Sequence, residues 1–330
     1  MTQRHHAPPS QRGAALLAAM LTVALVATLA AGALWQQWRS SEIEGAERQR
    51  AQARWLLVGA LDWARVILRE DARADTANTA TDHLAEPWAV PLQEARLSSF
   101  LSALPDASSN SNDDDQLAQQ VFLSGQINDL QARLNVTNLL ESGSISPPAL
   151  ASFARLFEAL NLPPEQLSVL AQGLENAQRK SNPAQSPLMP QRVSQLSWLG
   201  VSSDTLNRLT PHITVLPVRT PVNVNTASAE VLYASVNALS LADAQRLVAL
   251  RSRTHWSSLA DFQKAVGAAA MSEGDNTRSV NTHFFEVWGR LRMANTLVQE
   301  RSVVQRDQTE VKVLWRESGM WAGQASPSLQ

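Results

Sequence analysis

Residues Ala14 to Trp35 form one apolar run with nothing more polar than Thr22 and Thr28. As a helix at ~1.5 Å per residue the run spans about 33 Å, enough to cross a hydrocarbon core of ~30 Å. The helical pattern does not stop there. From Arg39 to about Glu70 the chain is rich in Ala, Arg, Gln, Glu and Leu, with no Pro and only Gly45 and Gly59, which predicts one continuous helix, half in lipid and half in water. In the watery half Ala53, Leu57, Leu61 (or Ala60), Ala64 and Leu68 recur three and four apart, so one face needs cover, and a sheet is the natural partner. Such a stripe serves a filament spine and any packed amphipathic helix equally well.

Strand periodicity appears in two distant places. Val121, Leu123, Gly125 and Ile127 alternate with more polar positions, and Leu134 and Val136 suggest a second short run after a turn at Asn128-Asp129. Near the C-terminus Phe285, Val287, Gly289, Leu291 and Met293 share one face. Asn295-Thr296 is a turn candidate, Leu297 to Gln305 is Val-rich, and Val311, Val313 and Trp315 alternate with Glu310, Lys312 and Arg316. An antiparallel meander with one face on the long helix is expected.

Between these strands the period changes to that of helices. Leu150, Phe153, Phe157 and Leu160 follow Pro147-Pro148, and Leu167, Leu170, Ala171 and Leu174 follow Pro163-Pro164, with proline where a helix begins. An aperiodic, Pro-containing loop runs from Asn176 to Gln191, after which Val193, Leu196, Leu206, Leu209 and Ile213 continue the helical signal. The tetrapeptide SLAD occurs at Ser240–Asp243 and again at Ser258–Asp261, each a helix start with Ser as N-cap. This segment resembles helix-hairpin-helix and SAM-like modules, some of which bind DNA. The hairpin here, Val236 to Ser240, lacks the Gly that admits phosphate, and Asp243 and Asp261 lie among Arg246, Arg251 and Arg253, so nucleic acid is not the expected partner. The fold class expected is α+β: a long transmembrane and spine helix (14–75), an antiparallel sheet domain (76–141 plus 275–318), an inserted all-α domain (142–274) and a flexible tail (319–330), behind a leader (1–13).

Charge orients the chain. Arg4 and Arg12 precede the apolar run without an acid, while Glu42, Glu44 and Glu47 follow it, which places the short N-terminus in the cytoplasm and the remainder outside, in the periplasm of a Gram-negative inner membrane. A net charge of −2 gives no electrostatic case for nucleic acid, and the absence of Cys excludes disulfides and thiol chemistry. Three fates are open to the N-terminus: an uncleaved anchor, a signal cut after Ala31-Gly32-Ala33, or cleavage between Gly13 and Ala14. The lone Gly between a basic leader and an unbroken helix favours the third.

That third pattern, RGAALLAAML, resembles type IV prepilin and pseudopilin leaders. The resemblance implies cleavage by a prepilin peptidase after Gly13 and N-methylation of Ala14. It also marks Ala18 as the place where most members carry a Glu that meets a neighbour's terminal amine. A subunit with no neighbour above it needs no such carboxylate. GQINDLQARLNVTNLL (Gly125 to Leu140), RTPVNVNTASAEVL (Arg219 to Leu232) and the inserted helical segment extend the likeness: the chain resembles the K-type minor pseudopilins of type II secretion systems. This implies a pilin-like sheet, capping of the pseudopilus tip, nucleation of its assembly for protein export, and I- and J-type minor pseudopilins, the inner-membrane platform and membrane lipid as partners.

Members of that family can bind calcium through an acidic stretch in the helical domain. The matching region here has Glu175, Asn176 and few other carboxylates, which argues against that calcium site, and no other cofactor is expected. Asp113-Asp114-Asp115 reads as a solvated loop. The six His show no ligand spacing, no nucleophile elbow or phosphate loop is present, and no catalytic residues or metal ligands are expected. Trp55, Trp63 and Trp88 are expected to pack in core or spine contacts, and Trp198, Trp256 and Trp288 are candidate interface anchors. The alternatives are a membrane-tethered periplasmic helix-hairpin-helix protein acting as a DNA receptor, and an anchored enzyme.

Overall fold

The computed structural model describes residues 12–75, 81–102, 120–179, 187–267, 276–293 and 296–319. The leader residues through Gln11, Asp113-Asp114-Asp115, Asn295 and the tail beyond Gly319 lie outside them.

One helix, α1 (Arg12–Asp75), runs for 64 residues without interruption. Its N-terminal part is long and apolar enough to cross a membrane once. The helix stays intact in water because its second half lies on a sheet. Ala53, Leu57, Leu61, Ala64 and Leu68 are all buried, and each fully covered Leu contributes about 1.5–3 kcal/mol.

The sheet is antiparallel and five-stranded, in the order β1 (Leu92–Arg96), β2 (Val121–Asp129), β9 (Phe284–Met293), β10 (Thr296–Asp307), β11 (Glu310–Ser318). A short helix, α2 (Leu97–Ser102), follows β1. Phe285, Val287, Leu291 and Met293 all face α1. Gly289 is small because α1 presses there: a Cβ would sit 3.0 Å from Leu57 Cδ2. At Gly125 a Cβ would meet the Trp288 carbonyl oxygen at 2.7 Å, so β2 and β9 pair this closely because position 125 carries no side chain. Arg65 of α1 donates twice to the Val311 carbonyl, tying the helix to the outer strand.

Two expectations for the strands need correction. The chain does not turn at Asn128-Asp129; β2 runs through both residues in register with β9. Leu134 then enters a two-residue strand, β3 (Leu134–Asn135), that pairs in parallel with β6 (Ile213–Thr214), far along the chain. On β11 the pairing shifts between Val303–Trp315 and Val304–Val313. This bulge at Leu314 breaks the alternation, leaving Val311 on the α1 side and sending Trp315 to the opposite face with Leu130, Leu216, Phe284 and Val303.

The chain between β2 and β9 is mainly helical. After a two-residue hairpin, β4 (Leu140–Glu141) and β5 (Ser144–Ile145), come α3 (Pro147–Ala159), α4 (Pro164–Gln178), a 3-10 turn (Val193–Leu199) and α5 (Ser203–Leu209). Strand β6 follows, so Ile213 belongs to a strand rather than to the helical run. Then come β7 (Val222–Asn223), α6 (Ala229–Ser235), α7 (Leu241–Arg251), α8 (Leu259–Val266) and β8 (Arg278–Ser279), which pairs with β7. Ser240 and Ser258 each accept the N–H of the Asp three residues on, as the SLAD repeats require. These elements share one core, in which Phe153, Phe157, Leu170, Leu209, Leu232, Leu247 and Phe262 are buried together with Leu134, Val136, Leu139 and Leu140. Trp88 is buried and Trp63 half-buried, but Trp55 projects from α1 at 72% exposure and is not a core contact.

Candidate functional site

The densest polar cluster among the described residues lies where α1, the sheet and the helical segment meet. Asp129, the last residue of β2, is its centre. One carboxylate oxygen accepts the Gln131 N–H (2.7 Å) and the Thr282 hydroxyl (2.7 Å). The other accepts Asn223 Nδ2 (2.9 Å) and the Thr226 hydroxyl (2.5 Å). Asn223 also donates to the Asp82 carbonyl (3.0 Å), and its own side-chain oxygen accepts the Asn225 N–H (3.0 Å). Asp82 accepts the Thr282 N–H (2.7 Å) and a hydrogen bond from Arg306 of β10, whose other amino group reaches Asp71 of α1 (2.8 Å). Six separate parts of the chain thus meet through buried polar groups, each with a partner, as burial demands.

The two most distinctive motifs are the two sides of this junction. Gln131 donates to the Pro221 carbonyl. Asn135 donates to the Val218 carbonyl and the Thr220 hydroxyl, and Asn138 exchanges two hydrogen bonds with the Thr220 backbone. The polar residues of GQINDLQARLNVTNLL therefore clasp RTPVNVNT. Asn225 extends the clasp by bonding both the N–H and the carbonyl of Trp256. The spacing of the polar positions in each motif was visible in the sequence; their mutual pairing was not, because the bonds that join them span about 80 to 100 residues of chain.

Burial raises the Asp129 pKa to about 6 against the hydrogen bonds from Thr226 and Thr282. Burial opposes the charge on Arg306 too, but Asp82 and Asp71 hold its guanidinium protonated above its usual value. Glu86, on the loop ahead of β1, is pushed up to about 8 by burial and by Asp71, although it accepts the Trp88 indole N–H and the His83 N–H.

Asp71, Asp82 and Glu86 converge closely enough to suggest a cation site. The chemistry does not fit one. Arg306 already bridges the two aspartates, and a calcium ion needs about 6–8 oxygens. The acidic stretch expected from the family fits no better. Among the described residues of that segment Glu175 is paired with Arg179 at 2.5 Å, and Asn176 adds no charge.

A second clamp lies on the sheet face away from α1. Arg192 and Arg301 both pair with Glu317 (3.1 and 3.2 Å) and both lie over the Trp315 ring (4.7 and 5.2 Å). The bulge on β11 is what brings Trp315 there. At the hairpin, Arg155 donates to the Tyr233, Asn237 and Leu239 carbonyls and stacks on Tyr233. Arg251 donates to the Val224 carbonyl, and Arg246 pairs with Asp243. Arg155 and Arg251 serve the fold, while Arg246 stays exposed on α7.

Gly13, Ala14 and Ala18 lie on the first turns of α1, at the opposite end of the helix from Asp71. The fold also joins histidines that sequence spacing kept apart: the rings of His83 and His255 stack with centroids 3.7 Å apart. His283 approaches the Arg306 carbonyl at 3.2 Å. His212 comes within 3.4 Å of the Ser228 hydroxyl, but that hydroxyl caps α6 by accepting the Val231 N–H. Trp198 is exposed, Trp256 half-buried and Trp288 buried.

Comparison with known proteins gives this architecture a family. Two family models described as type II secretion system (T2SS), protein K match residues 132–218 and 222–281. The chain is 26% identical to the type II secretion system protein K of Pseudomonas aeruginosa, over 94% of this chain and 93% of that one. It is 29% identical to the protein K of Klebsiella pneumoniae, over 94% and 97%. Its fold matches a chain in the crystal structure of the GspK-GspI-GspJ complex from the enterotoxigenic Escherichia coli type 2 secretion system, with a TM-score of 0.61 at 18% identity, over 84% of this chain and 99% of that one. The matched segments take in the greater part of both clasping motifs and the relatives align nearly end to end, so the chain is similar along most of its length to the protein K family of type II secretion systems, the K-type minor pseudopilins.

Proposed function

We propose that this minor pseudopilin caps the tip of the type II secretion pseudopilus and nucleates its assembly for protein export. The observation that carries this reading is the helical head between β2 and β9, built around its own core and joined by the buried polar junction to the body of a 64-residue rod. A rod shared by all subunits lets the chain join a bundle. A head added beyond the pilin-like sheet occupies the space in which the next subunit would stack. The division proposed is a leader (1–13), the transmembrane and spine helix (14–75), the sheet domain and the head (142–274), to which the core residues Leu134 to Leu140 add themselves.

The remaining steps follow the same logic. The prepilin peptidase cuts between Gly13 and Ala14, and Ala14 is N-methylated. Ala18 leaves the segment without a carboxylate near mid-bilayer, a group that costs ~2.5–3.5 kcal/mol unless paired, which suits a subunit with no neighbour above it. The head lies in the periplasm, the rod contacts I-type and J-type minor pseudopilins, and the inner-membrane platform receives the assembled tip. Trp55, exposed at 72% on the watery half of α1, is the anchor proposed toward a neighbouring rod. No catalytic role is assigned.

The test is to place a photo-crosslinker at Trp55 in cells carrying the whole system and to label the head with gold. Crosslinks to the I- or J-type subunit and label at one filament end support the reading. Label along the filament length, or filaments of normal number and length without this chain, overturns it.

A further inference from the structure

We propose that the cleft between the helical head and the outer face of the sheet binds an acidic peptide, seating one carboxylate beside an apolar side chain. This goes beyond the tip reading and does not depend on it, because that reading uses no residue of the cleft.

The cleft has a volume of about 530 Å³, within the range of ~300–1,000 Å³ usual for ligand sites, which favour the joints between domains. The head supplies one wall, with Val193 on the 3-10 turn, Leu206 on α5 and Val215 just after β6. The sheet supplies the other from its face away from α1, with Val303 and Trp315.

Two polar groups on this cleft lack the partners that burial demands. In the motif GQINDLQARLNVTNLL, Asp129, Gln131, Asn135, Thr137 and Asn138 all bond within the head-to-body junction. Arg133 takes no part in it. Among the described residues its half-buried guanidinium makes no hydrogen bond, and its ion pair with Glu286 spans 3.9 Å. That leaves five donors in a planar fork suited to a carboxylate. Thr214 is the second group. It is only 4% exposed and lines the cleft, yet its hydroxyl has no hydrogen bond among the described residues. Buried polar groups nearly always have partners, so two without one on the same cleft mark the place of a ligand.

The charges along the cleft set the charge of that ligand. Arg133, Glu286, Arg301, Glu317 and Arg192 alternate, with successive contacts of 3.9, 3.4, 3.2 and 3.1 Å. Each carboxylate is shared by two arginines, so one positive charge is left over. A single carboxylate balances it. A dianionic phosphate exceeds it and faces Glu286 and Glu317. A small free carboxylate meets the charge but leaves the apolar walls wet. A peptide with an apolar residue next to its acid fills both parts.

Fluorescence anisotropy on the detergent-solubilised full chain tests the site. The probes are two dye-labelled pools of short end-capped peptides with randomised flanks, one carrying a central Leu-Glu-Leu and the other Leu-Gln-Leu. The Glu pool should bind about tenfold or more tighter than the Gln pool. Arg133→Met should abolish that preference, and Thr214→Val should weaken the Glu pool about threefold. Neither side chain is hydrogen-bonded in the fold, so both variants should keep the wild-type melting temperature. Succinate and inorganic phosphate should each compete about tenfold less well than unlabelled Glu pool. Equal affinity for the two pools, a preference that survives Arg133→Met, or displacement by succinate or phosphate as good as by the Glu pool overturns the site. Thr214→Val serves where Arg133→Met does not fold, and an unchanged affinity there counts equally against it.

Discussion

Asn223→Ala tests the clasp at its most connected side chain. Asn223 is fully buried, and its three hydrogen bonds reach the Asp129 carboxylate, the Asp82 carbonyl and the Asn225 N–H. A bond to a charged acceptor contributes ~1.5–3 kcal/mol and each neutral one ~0.5–1.5 kcal/mol, so their loss costs about 3–5 kcal/mol. That is a large share of a domain stability of ~5–15 kcal/mol. The cost should be high because truncation leaves the partners buried with no water to replace the amide. Arg219→Ala, in the same motif, is the matched control: its ion pair with Glu141 is solvent-exposed, and breaking it should leave the unfolding midpoint unchanged. Urea unfolding of the detergent-solubilised chain, followed by circular dichroism, reads both. If Asn223→Ala costs less than about 1 kcal/mol, or no more than Arg219→Ala, the clasp does not hold the head to the body and the reasoning fails.

Two further outcomes are expected. The Asp129 pKa is raised from 3.8 to about 6 in the fold, so its contribution to stability is complete below 3.8 and falls as pH rises through about 6; Asp129→Asn should therefore gain stability relative to wild type over that interval, and a constant difference in unfolding midpoint would contradict the assignment. Gly125→Ala would place a Cβ 2.7 Å from the Trp288 carbonyl oxygen of the neighbouring strand, and should cost about 1–3 kcal/mol by thermal melting, since backbone on both sides must shift.

Much of the scaffold was legible in the sequence because it rests on periodicity. The α1 stripe from Ala53 to Leu68 and the β9 face from Phe285 to Met293 could be read directly, since burial on one side imposes a fixed repeat. The SLAD caps were readable because a cap is local. The failures share a different physics. The bulge that turns Trp315 to the far face depends on register with β10, which no single strand encodes. Leu134 looked like half of a hairpin, but its partner is Ile213. The junction was hidden for the same reason: Asp71, Asp82, Asp129, Asn223, Thr282 and Arg306 are each unremarkable locally and acquire meaning only when six segments converge. The His83 and His255 stack and the exposure of Trp55 likewise required the fold.

The central claim is that this chain enters the filament as a pseudopilin, with a freed and uninterrupted rod. Intact-mass and N-terminal analysis of the protein extracted from membranes of cells expressing the whole secretion system tests it most directly. The account predicts a chain beginning at Ala14 and carrying one methyl group on its terminal amine. A chain that retains Met1 through Gly13, or one that begins at Leu34 after loss of the membrane run, would contradict it.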